Sequence, residues 1–180
     1  MTAVMEGVRV LEVAEHTFVP AASALLADWG ADVIKIEPIE RGDAMRGLAA
    51  TGVVSIGGDV HALLEHSNRG KRSLALDLTT PEGLDILYKL VATADVFLIN
   101  KLPRVRKKLS IELEDIRAQN PNIIYVAGTG QGERGPMPTR APTTPCPSGS
   151  GPVSPWERRR RTRTDSSAPQ GRASATPSEP

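Results

Sequence analysis

The sequence predicts an α/β fold, a parallel sheet with helices on both faces, followed by a segment that does not share it. Two observations carry this expectation. Up to residue 127, short and nearly all-apolar runs alternate with amphipathic stretches, as expected of strands buried on both faces and joined by helices. Past Pro136 the composition changes abruptly. Residues 1–136 hold 15 Lys+Arg and 18 Asp+Glu; residues 137–180 hold 7 Arg, 3 acids and nine of the fifteen prolines. The only large apolar residues of that tail are Met137, Val153 and Trp156. So few apolar groups do not offset the entropy of ordering a backbone, about 1–2 kcal/mol per residue.

Residues 7–14 read as a first strand, rich in β-branched side chains. Pro20 opens a helix, where its missing N–H costs nothing, and Gly30 stops it after Trp29. Residues 32–37 form a second strand, completing a βαβ unit. A third strand spans 73–78. Thr80 caps the next helix with Pro81 as its first residue, and Leu84, Ile86, Leu87, Leu90 and Val91 lie along it as its apolar stripe. Residues 95–100 are a fourth strand, 109–119 a helix starting near Ser110 or Glu112, and 123–127 a fifth strand. In such sheets ligands sit beyond the carboxyl ends of the strands, which points to the loops at Glu15, Glu37, Leu78, Asn100 and Gly128.

Composition narrows the function classes. The net charge is +1 and 39% of residues are apolar, as in ordinary globular proteins. The single cysteine, Cys146, allows no intrachain disulfide and no cysteine-built metal site, and no metal is expected. No run reaches the roughly 20 apolar residues that cross a bilayer. The N-terminus has no basic region leading into an apolar run, so the expectation is a cytoplasmic protein without membrane attachment. Arg158 to Arg163 form a basic run, but only Trp156 accompanies it, which argues against specific nucleic-acid recognition. Gly128 to Gly132 resembles a phosphate loop without the Lys-Ser/Thr pair of a Walker motif. No Gly-x-Gly-x-x-Gly follows the first strand, which disfavours a dinucleotide-binding domain.

Several loops carry a further pattern. Gly-Val-Arg-Val-Leu-Glu-Val at 7–13 precedes Pro20 and Leu-Ala-Asp-Trp-Gly-Ala-Asp-Val-Ile-Lys-Ile-Glu-Pro at 26–38. Gly-Asp-Ala-Met-Arg at 42–46 and Asn-Arg-Gly-Lys-Arg-Ser-Leu-Ala-Leu-Asp-Leu at 68–78 follow. Thr-Pro-Glu-Gly at 80–83 and Ala-Asp-Val-Phe-Leu-Ile-Asn at 94–100 complete the set. In this order and spacing the chain resembles the class III coenzyme A transferases of the CaiB/BaiF type, relatives of formyl-CoA and carnitine-CoA transferases and of α-methylacyl-CoA racemases.

The resemblance implies a Rossmann-like large domain, an interlocked homodimer, and acyl-CoA or CoA as ligand. It implies attack of an Asp carboxylate on a thioester, with CoA moved from an acyl-CoA to a carboxylic acid. It places CoA contacts on Thr17 and Phe18, on Pro38, on Leu76, Asp77, Leu78 and Thr79, on Asn100 and Lys101, and on Lys108. Arg104, Arg106 and Lys107 extend a basic cluster suited to the phosphates. Two positions depart from the family pattern: Val19 stands before Pro20 where Gly is frequent, and Lys101 follows Asn100 where an aromatic or small residue is frequent.

Simpler readings stand beside these. Asn68 to Ser73 also reads as a basic turn feeding a strand, and Arg104 to Lys108 as a solvated helix face. Asp43 and Arg46 read as a loop ion pair, His16 as a residue able to face substrate, and His61 and His66 as surface residues.

Under the resemblance, the nucleophilic Asp lies in a Gly-rich segment beyond residue 136. Asp165, amid Arg163-Thr164-Asp165-Ser166-Ser167, does not match it, so no catalytic residue is assigned. The composition of the tail suggests a reading-frame change near Pro136, because an alternative frame permits Asp-Ala-Asp-Lys-Gly-Ala-Tyr-Asp there. The expectation is therefore an N-terminal part of the transferase domain over 1–136 and a disordered or frame-shifted tail over 137–180, inactive by itself. The alternatives are a non-catalytic CoA-binding fragment that pairs with a full-length relative, or a racemase relative.

Overall fold

The structure is a computed structural model that describes residues 3–51 and 60–130. The expectations for the tail, for Cys146 and for Gln131 and Gly132 lie outside these residues.

Five strands form one parallel sheet: β1 Arg9–Val13, β2 Asp32–Glu37, β3 Arg72–Ala75, β4 Val96–Ile99 and β5 Ile124–Ala127. Their order is β3-β2-β1-β4-β5, so the chain winds outward from β1 in one direction and then returns to wind in the other. In register, Leu11 stands beside Ile34 and Phe97, and Glu12 beside Lys35 and Leu98.

Helices cover both faces: α1 Phe18–Asp28 and α2 Ala62–Asn68 on one, α3 Pro81–Val91 and α5 Leu113–Gln119 on the other, with the short α4 Pro103–Lys108 after β4. Side chains alternate along a strand, and β1 divides accordingly. Leu11 and Val13 join Phe97, Ile99, Leu87, Val91, Ile111 and Ile116 in the larger core. Val10 and Ala14 join Val19, Val33 and Leu98 under α1. Phe97 and Tyr125 stack in the larger core with ring centroids 5.5 Å apart, a favourable aromatic separation.

The second strand falls on its expected residues, and Thr80 caps α3 as expected, its hydroxyl accepting the Gly83 N–H at 3.2 Å with Pro81 in the first turn. Gly30 ends α1 with a φ of +99°. Other boundaries shift. α1 begins two residues before Pro20, and β3 runs 72–75 instead of 73–78. The helix expected over 109–119 is two helices, because Ser110 turns left-handed at φ +53° and stops α4. The new start at α5 is sealed by a reciprocal cap between Glu112 and Asp115. A 3-10 helix, Ala44–Thr51, and α2 lack the long apolar periodicity that would announce them.

Candidate functional site

The order of the sheet reverses direction between β1 and β4, so their carboxyl ends open a crevice. Asn100, at the end of β4, ties the crevice together: its amide accepts the Glu15 N–H at 3.1 Å and donates to the Glu15 carbonyl at 2.7 Å. Asn100 is thus engaged with the β1–α1 loop. Thr17 is the N-cap of α1 and makes no side-chain capping bond there, and Phe18 is 64% exposed.

A cleft of about 490 Å³ lies beside this crevice, at the ends of β1, β2 and β3. Its volume is that of a small-molecule pocket. Of the ten residues that the sequence resemblance marks for CoA, six line it: Pro38, Leu76, Asp77, Leu78, Thr79 and Lys101. Val13, Ile36 and Leu109 give it an apolar wall. Thr17, Phe18, Asn100 and Lys108 are not among its lining residues.

Two cations reach the cleft, Lys101 and Arg41, and both pair with Glu15, at 2.9 and 2.7 Å. Arg41 was not expected; it lies outside every basic run in the sequence. Asp77 turns the wall by accepting the Thr79 N–H at 2.9 Å and hydroxyl at 2.6 Å, and these bonds hold its carboxyl below the usual range. Arg104, Lys107 and Lys108 lie on the exposed side of α4. Arg106, Lys107 and Lys108 occupy its last turn, where cations favour the helix dipole. The solvated-face reading accounts for this geometry.

Beneath the crevice lies a buried ionic layer. Glu12, Lys35 and Asp43 are fully or almost fully inaccessible. The Lys35 Nζ donates to Glu12 Oε1 at 3.0 Å and to Asp43 Oδ2 at 2.6 Å. Lys71 Nζ donates to Glu12 Oε2 at 2.6 Å and to the Pro20 carbonyl at 2.8 Å. The Ser23 hydroxyl completes the Glu12 shell. Burial opposes the charge of Lys35, but Glu12 and Asp43 outweigh it and raise its pKa. At Lys71 burial prevails and the pKa falls despite Glu12. Burial also opposes ionisation of Asp43, yet Lys35 and the N–H groups of His16 and Met45 hold its pKa below the usual value.

These partners correct one sequence reading and refine two others. Asp43 and Arg46 do not form a pair with each other: Asp43 takes Lys35, and Arg46 takes Glu37 at 3.2 Å. The reason is Gly42, whose φ of +62° turns the loop so tightly that a Cβ there would lie 2.8 Å from Arg46 Nε and Glu37 Oε2. His61 is not a free surface residue: it caps α2 by accepting the Leu64 N–H, and its Nε2 lies 3.0 Å from the Met45 carbonyl. Arg69, Lys71 and Arg72 are engaged within the chain, with Asp28, Glu12 and Asp32 respectively. Gly128 packs against α1, where an added Cβ would come within 2.2 Å of Val19 Cγ2. The glycine thus makes room for valine at a position where the family often has glycine.

Comparison with known proteins places this geometry. Residues 5–144 match the model for "CoA-transferase family III". The chain is 42% identical over 134 residues to succinate–glutarate CoA-transferase from Agrobacterium fabrum, covering 73% of this chain and 34% of that protein. It is 35% identical over 133 residues to (R)-2-hydroxy-4-methylpentanoate CoA-transferase from Clostridioides difficile, covering 74% and 33%. Among solved structures, a CAIB/BAIF family protein from Brucella suis superposes with a TM-score of 0.68 at 35% identity, over 78% of this chain and 37% of that one. The chain spans about a third of the length of the curated relatives it matches. With the matching segments and the superposed fold in agreement, the chain belongs to CoA-transferase family III.

Proposed function

We propose that residues 1–136 form a CoA-binding part of a class III CoA-transferase domain, and that the cleft at the ends of β1, β2 and β3 receives the coenzyme. The observation that carries this reading is the convergence on one cleft of three separately marked segments, Pro38, Leu76 to Thr79 and Lys101, with Lys101 and Arg41 as cations at its wall. Thr17, Phe18 and Asn100 then border the same ligand from the crevice between β1 and β4, where a thioester would lie. Lys108 belongs to the CoA contacts on the resemblance alone. Together the residues bind and orient; the one carboxylate among them, Asp77, is engaged by the Thr79 N–H and hydroxyl, and no nucleophilic role is assigned to it. Transfer to a carboxylic acid needs an Asp that the resemblance puts beyond residue 136, so the 180-residue chain by itself is expected to exchange no thioester. The acyl groups named for the relatives belong to those proteins, and the substrate class here is acyl-CoA. No helix among the described residues is long and apolar enough to cross a membrane, and the location proposed for the protein is the cytoplasm.

Titration calorimetry of the purified chain with CoA tests the reading. Binding is expected, and Lys101→Glu should weaken it about tenfold by reversing a cation near the phosphates. Absence of binding, or an affinity indifferent to Lys101→Glu, overturns it.

A further inference from the structure

The Gly-Asp-Ala-Met-Arg segment has no partner in the cleft through Asp43 itself, because that carboxylate is wholly buried. Its bonds run elsewhere. Asp43 Oδ1 accepts the N–H of His16 at 2.9 Å and that of Met45 at 2.9 Å, while Oδ2 faces Lys35. Its own N–H donates to Glu37 Oε2 at 2.8 Å.

His16 stands in the left-handed region, with a φ of +68°. This conformation is costly for a residue with a Cβ, and it persists only where its surroundings impose it. The surroundings here are explicit. On one side of His16, Asn100 clamps both backbone groups of Glu15. At His16, Asp43 takes the N–H. Immediately after it, Thr17 starts α1. The left-handed step lets the chain leave β1 and turn at once into α1 at the rim of the crevice.

We infer that Asp43, held by Lys35, is a positioning residue that imposes the left-handed turn at His16 and so sets where Thr17 and Phe18 stand beside the crevice. Because Asp43 Oδ1 accepts both the Met45 and the His16 N–H, one oxygen ties the loop after β2 to the loop after β1. Lys35 fixes that carboxylate and is itself fixed by Glu12, on the strand that feeds the loop. This inference rests on the geometry of the turn and is independent of what ligand the cleft takes.

A double-mutant cycle on the full chain tests it, because a carboxylate that only fills the core has no reason to depend on the side chain at position 16. Glycine adopts the left-handed region at little cost. Urea unfolding of the unsubstituted chain, Asp43→Ala, His16→Gly and the double variant should show Asp43→Ala reducing the folding constant at least fivefold more in the glycine background, because only histidine recovers the cost of the left-handed turn when the bond that imposes it is lost. Equal reductions in both backgrounds overturn the inference. Should Asp43→Ala leave no folded protein in either background, amide hydrogen exchange of the unsubstituted chain decides instead. The His16 amide should exchange about a hundredfold more slowly than in an unstructured peptide; free exchange at His16 overturns the inference.

Discussion

On the face of the sheet covered by α3 and α5, Leu11, Val13, Phe97 and Ile99 meet Leu87, Val91 and Ile116, and the core is apolar throughout. On the face covered by α1, the same strands bring Glu12, Lys35 and Glu37 inward, and Asp43 and Ser23 close over them. Both faces are buried, but they are stabilised in different ways. The apolar face gains from burial whatever its exact partners, because the hydrophobic effect has no direction. The ionic face gains only if every charge finds its counter-charge and its hydrogen bonds, because an unpaired buried charge is expensive. The first arrangement tolerates repacking. The second fixes geometry, and it lies beneath the loop that borders the crevice. Conformational precision here comes from the polar face.

Removing one partner from each face should break this comparison most visibly. Lys35→Met leaves Glu12 and Asp43 buried with one cation, Lys71, which touches only Glu12. The expected loss is about 3–5 kcal/mol, as for one half of a buried pair. Phe97→Ala on the other face removes a fully buried ring stacked on Tyr125, for a loss of about 3–5 kcal/mol from transfer and cavity terms. The losses are alike and the consequences differ. Lys35→Met should also release the amides of His16 and Met45, whereas Phe97→Ala should leave them protected. Chemical denaturation with amide exchange measures both; equal deprotection at His16 in the two variants would dissolve the distinction between the faces.

Acid should act on the ionic face selectively. The folded-state pKa of Asp43 is depressed, so its contribution is present above the ordinary value near 3.8 and is lost as pH falls through the depressed one. Lys35 is raised above 10.5, so its contribution is present below that pH and disappears as pH climbs through the folded value. Lys71 is depressed and opposes it in the alkaline range. The acid limb is therefore the cleaner one. The stability gap between the unsubstituted chain and Asp43→Asn should be constant from about pH 5 to 8 and narrow below about pH 4. Thermal melts across this range test the prediction, and a gap that stays constant into acid would show that Asp43 does not titrate with folding.

The fold was largely legible because its strands are short apolar runs and its helices begin with recognisable caps. Thr80-Pro81 marked the start of α3 to the residue, and Asp32 to Glu37 marked β2. The break at Ser110 was not legible, since a serine carries no statement that its φ will be positive. The candidate site was half legible. The segment after β3 was found through its pattern, but Arg41 and Leu109 line the cleft because the sheet brings distant loops together. The ionic layer did have a signal. Glu12 and Lys35 are charges set within otherwise apolar strands of a sheet covered on both faces, where a charge must be paired. Pairing partners, however, follow from register: Glu12 stands beside Lys35 only once β1 and β2 are aligned. Asp43 arrives from a loop whose path depends on Gly42.

The same chemistry outside the core supplies the smallest and sharpest contrast. At the amino ends of β1, β2 and β3, Asp32 accepts Arg9 at 2.9 Å and Arg72 at 2.6 Å, distances as short as those around Lys35. The side chains of this trio are 36 to 63% exposed, and water and salt compete with each bond. Burial opposes the charge of Asp32, and its two arginines still hold its pKa below the usual value. That shift reports occupancy of the bonds and translates into little stability at such exposure. Arg72→Ala should therefore cost at most about 1 kcal/mol, and the loss should shrink as salt is raised toward molar concentrations. Lys35→Met should keep most of its effect under the same conditions, because ions do not reach the buried layer. Denaturation of both variants at low and high salt measures this directly. If the two losses respond to salt alike, burial is not what separates the ionic face from the surface, and short distance alone would account for both.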